Sequence, residues 1–129
     1  MTATSITTSY APDAWLGTRL ARELLGINDP HSHLEHAHEG VDDPLLKLAQ
    51  VTSTTITELD WYDEEAERLR KELLRRAEHS SRHLDGPYRD GESARAMADR
   101  LAATCATREA TTSFLRRLLL AYQAATQTS

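Results

Sequence analysis

Between Pro44 and Leu84, apolar or small residues recur at Leu45, Leu48, Ala49, Thr52, Thr55, Ile56, Leu59, Tyr62, Ala66, Leu69, Leu73, Ala77, Ser80 and Leu84. The steps alternate between three and four, the period of one face of an α-helix, and never settle into the every-second-residue rhythm of a strand. The pattern predicts one long amphipathic helix, roughly 60 Å at about 1.5 Å per residue. Its solvent side carries Glu64/Arg68, Glu67/Lys71, Glu72/Arg76 and Glu78/Arg82, each acid four residues before its base, the favourable order for a helix. Val51 to Thr57 is the weak place, because β-branched residues crowd the helix and threonine hydroxyls compete for the carbonyls of the preceding turn. The sequence leaves open whether the helix breaks there.

A second helical pattern, from about 92 to 125, runs through Ala94, Met97, Ala98, Leu101, Cys105, Thr112, Leu115, Leu118, Leu119 and Tyr122. Asp85 to Gly91, with two glycines and a proline, is the turn between the two patterns. A short turn makes the helices antiparallel neighbours. If residues 84 and 92 face each other, Ala66 lies opposite Ala110 and Leu73 opposite Ala103.

Upstream, Pro12 and Asp13 open a shorter helix, about 12–25, that carries Trp15, Leu16, Leu20, Ala21, Leu24 and Leu25 and stops at Gly26. Asp29 as cap, Pro30 in the first turn and Gly40 as terminator frame a few turns inside a histidine-rich connection, 26–43. Residues 1–10 read as a loose arm. The expected fold is therefore all-α: one helical domain over 1–129, built as a long antiparallel αα-hairpin (about 44–84 and 92–125) with a short N-terminal helix at its open end. Phe114, Leu115, Leu118, Leu119 and Leu120 make the last helix apolar on more than one side. Such a face needs another partner, and a bundle completed by dimerisation is expected.

Composition narrows the picture further. Aromatics make up 5% of the 129 residues, so the core must be mostly leucine and alanine. One cysteine, Cys105, excludes an internal disulfide; it falls on the apolar stripe of the last helix and reads as a small hydrophobe. Met1 to Tyr10 has neither a basic start nor an apolar run, and the expected location is the cytoplasm. The longest apolar run, Leu118 to Tyr122, is far too short to cross a membrane. The net charge of −5 splits into 12 acidic and 3 basic residues over 1–66 (3 − 12 = −9) and 8 against 12 over 67–129 (12 − 8 = +4). Alternating glutamates neutralise most of Arg68, Arg70, Lys71, Arg75, Arg76 and Arg82, so nucleic acid is not the expected partner.

Two histidine groups are candidate chemistry. Glu35 and His38 form a Glu-x-x-His pair, with His31 on the same helical face; carboxylate-bridged metal bundles use that spacing. His79 and His83 form His-x-x-x-His, the helical spacing of zinc sites. On an unbroken helix the groups lie on the order of 50 Å apart, so they meet only if the chain breaks or two chains pair antiparallel. The His79/His83 pair with an upstream histidine resembles the DinB-type metal-binding four-helix bundles. Glu58-Leu59-Asp60-Trp61-Tyr62 followed by Glu78-His79 resembles the encapsulated ferritin-like proteins, which implies a two-helix chain building an iron site across a dimer. Arg76 stands where the Glu-x-x-His of that family has its glutamate, and the likeness spans under a fifth of the chain.

The favoured reading is a non-enzymatic helical interaction or assembly module without a cofactor. It would act as a homodimer or towards a protein partner, through Trp61, Tyr62, Phe114, Leu118 and Leu119. The alternative is a zinc- or iron-binding bundle using His79, His83, Glu35 and His38, and a third reading is a nucleic-acid-binding regulator.

Overall fold

The computed structural model describes residues 14–36, 44–82 and 87–127, and of 80–82 and 87–93 the backbone alone. Among the described residues there are four helices and no strand: α1 Leu16–Leu25, α2 Pro30–His36, α3 Pro44–Arg82 and α4 Pro87–Gln127. The expected arm 1–10, the Pro12–Asp13 start, His38, Gly40 and His83 lie outside the described residues. α3 and α4 form the predicted hairpin, and α1 and α2 pack on its open end.

α3 passes through Val51 to Thr57 without a break. The threonines achieve this by bonding back along the helix: the hydroxyls of Thr52, Thr55 and Thr57 donate to the carbonyls of Leu48, Val51 and Ser53 at 2.7, 2.8 and 3.3 Å. Each hydroxyl is satisfied inside the packing, so Thr52 and Thr55 can be buried at no net polar cost.

α4 starts at Pro87, inside the stretch the sequence reads as turn. Proline fits the first helical position because its ring fixes φ and its missing N–H is one the helix cannot use there. The earlier start shifts the pairing of the two helices. Asp63 reaches Arg108 at 3.0 Å and Glu65 reaches Arg100 at 3.5 Å, so facing positions sum to about 165–171 (65 + 100, 63 + 108) rather than 176 (84 + 92). Ala103 and Ala110, expected in the seam, are instead exposed.

The core lies at the open end and draws on all four helices: Leu20 and Ala21 from α1, Leu34 from α2, Ala49, Ile56 and Leu59 from α3, and Leu115, Leu119 and Tyr122 from α4. Each fully buried leucine or isoleucine here contributes on the order of 1.5–3 kcal/mol. α1 has ten residues and α2 seven, lengths that do not hold a helix in isolation, so both depend on this docking. α2 begins as expected, with the Asp29 carboxylate accepting the Ser32 N–H at 3.2 Å and Pro30 next in line. Among the described residues, the hydrogen bonds of α1 to α3 reach as far as Asp63, and no third helix covers the hairpin beyond it.

Candidate interaction surface

A polar site joins α1 to the hairpin. α1 starts after Trp15, which has no side-chain cap of its own. Two aspartates of α3 supply the cap instead. The Leu16 N–H donates to Asp63 Oδ2 at 2.9 Å, the Thr18 N–H to Asp60 Oδ1 at 2.9 Å, and the Thr18 hydroxyl to Asp60 Oδ2 at 2.6 Å. The other oxygen of Asp63 accepts from Arg108 Nη1 of α4 at 3.0 Å. Two carboxylates three residues apart on one helix thus neutralise the orphan amides and positive end of another, and an arginine from a third helix balances one of them.

Gly17 permits this approach. A Cβ at that position would stand 2.5 Å from the Ile56 carbonyl oxygen and 2.8 Å from Asp60 Oδ1. Sequence reasoning missed the arrangement, although two signals were present: a glycine inside a helical pattern, and Asp60 and Asp63 at helical spacing beside Ile56 and Leu59. The Asp63–Arg108 pair and the Glu65–Arg100 pair at 3.5 Å also show where the charge asymmetry goes. The acidic first half and the basic second half meet across the hairpin.

The histidine groups are far apart. His31 Nδ1 lies 3.5 Å from the Ser53 hydroxyl, and His33 Nε2 is hydrogen-bonded to the Tyr122 hydroxyl at 3.2 Å, with the two rings edge to face. Glu35 and His36 face solvent. His79 is exposed on α3, 26 residues past Ser53 (79 − 53), or about 39 Å along the helix. Among the described residues no three His, Cys, Asp or Glu side chains are grouped as a metal site. Cys105 is half-buried, within 3.8 Å of Arg108 Nη2. An open cleft of about 370 Å³ lies over His33 and Tyr122, walled by Leu25, Ile27, Gln123 and Thr126. The Gln123 amide donates to the Leu24 carbonyl at 3.1 Å, which ties the end of α4 to α1.

The expected interface residues divide between inside and outside. Leu119 is fully buried in the core of its own chain, and Leu118 and Tyr62 are half-buried. Trp61 stands outside at 58% exposure, edge to face with Tyr62, and Phe114 is 46% exposed. Phe114 and the α3 residues Gln50, Val51, Thr54, Thr55 and Glu58 line a shallow groove of about 310 Å³. α1 and α2 lie on the other side of α3, where they bury Ser53 and Ile56. Trp61, seven residues beyond Thr54 on α3, is exposed outside that lining. Val51 and Leu120 add to the exposed apolar surface of this end.

Along the outer half of α3, arginines pair mainly with glutamates three residues back rather than four. Arg68 and Arg70 each grip both oxygens of Glu65 and Glu67, and Arg75 does the same to Glu72, which Arg76 also reaches at 3.1 Å. The planar guanidinium favours this two-pronged contact over the single contact of the four-residue spacing. Hydrogen bonds from Arg75 and then Arg76 draw the Glu72 carboxyl down to about 2, and Arg68 and Arg70 lower Glu65 and Glu67. Burial raises the Tyr122 phenol. No helix among the described residues is long and apolar enough to cross a membrane. A comparison with protein families, curated proteins and solved structures finds no match to the chain.

Proposed function

We propose that this chain is a non-enzymatic helical assembly module that works as a homodimer, through the side of the hairpin that α1 and α2 leave open. The observation that carries the reading is the two-sidedness of α4. Leu115, Leu119 and Tyr122 fill the chain's own core, while Phe114 on the same helix stays 46% exposed against Val51 at 47% across the groove, and Leu120 and Trp61 are exposed elsewhere on the hairpin at 49% and 58%. Large apolar side chains left exposed on a second side of a helix are surface that a partner can cover. Clustered exposed aromatics beside arginine are the usual composition of an interface centre.

The catalytic alternatives draw less support. The polar groups that converge, Asp60, Asp63 and Arg108, are already saturated by α1 and by each other. Trp61 reports on the reading directly. In a Trp15→Phe variant its emission moves to the red on dilution as the uncovered face meets water, and Phe114→Glu shows the red-shifted emission at every concentration. Emission that is red-shifted and independent of concentration in the unsubstituted groove would refute the proposal.

A further inference from the structure

We draw no further inference here: the strongest candidate, the exposed apolar patch of Phe114 and Val51 over the shallow groove between α3 and α4, carries nothing beyond the assembly reading, because nothing in the structure shows what covers it.

Discussion

Replacing Gly17 by alanine puts the docking of α1 to a quantitative test. The added methyl carbon would lie 2.5 Å from the Ile56 carbonyl oxygen, 2.8 Å from Asp60 Oδ1 and 3.2 Å from the Leu59 Cβ. The first neighbour is backbone of a long helix and cannot swing away, so α1 must retreat by a sizeable fraction of an ångström. That retreat stretches the 2.9 Å bonds from the Leu16 and Thr18 amides to the two aspartates. Overpacking of this kind costs about 1–3 kcal/mol, and each weakened bond to a charged acceptor forfeits part of about 1.5–3 kcal/mol. Alanine's better helix propensity returns about 0.5–1 kcal/mol. The expected net loss is about 1–3 kcal/mol, a fall in Tm of about 3–10 °C at fixed protein concentration. Thermal unfolding followed by far-UV circular dichroism measures it. Gly26→Ala serves as the control, because Gly26 has open space around it and only its φ of 69° to lose, about 1–2 kcal/mol. A Gly17→Ala protein that melts at or above the parent temperature would refute the close contact between α1 and α3.

Two further expectations concern pH. The Glu72 carboxyl sits at about 2 in the folded chain against an ordinary 4.5, so the unfolded chain binds the extra proton between those values. The contribution of Glu72 is present above about 4.5 and is lost as pH falls towards 2; Glu72→Gln flattens that part of a stability-against-pH profile, and an unchanged slope would contradict the bidentate arginine contacts. Tyr122 behaves oppositely. Burial raises its phenol above the ordinary 10, so its contribution is complete below 10 and falls as pH rises beyond it. Tyr122→Phe should remove that alkaline loss in a urea titration.

What the sequence made legible was the local part of the structure. The three-four periodicity around Leu59 and Leu69 identifies α3, the Asp29–Pro30 pair identifies the start of α2, and Gly26 the end of α1, because each signal is set by residues within a turn of one another. The start of α4 was misplaced because Pro87 suits a turn and a first helical position equally, and only the packing of the tip decides between them. The consequence was a register error that put Ala110 inside, whereas it faces out. The aspartate cap was hidden for a different reason: Asp60 and Asp63 act on residues 42 and 47 positions away, and no local pattern reports such a distance. The histidines were legible as residue types but not as a site, since His31 and His33 each turn one ring nitrogen to Ser53 and Tyr122 while His79 stands at the other end of the hairpin. Leu119 illustrates the limit of a helical wheel. It shares an apolar run with Leu118 and Leu120, yet it is fully buried, Leu118 half-buried and Leu120 half-exposed.

Sedimentation equilibrium of the untagged chain over a wide concentration range is the most direct test of the claim that the open side of the hairpin is an interface between copies. A mass of 2 × 14.4 = 28.8 kDa that falls to 14.4 kDa when Phe114 becomes glutamate, with helicity unchanged, is the predicted result. A mass of 14.4 kDa for the unsubstituted chain at every concentration would contradict it.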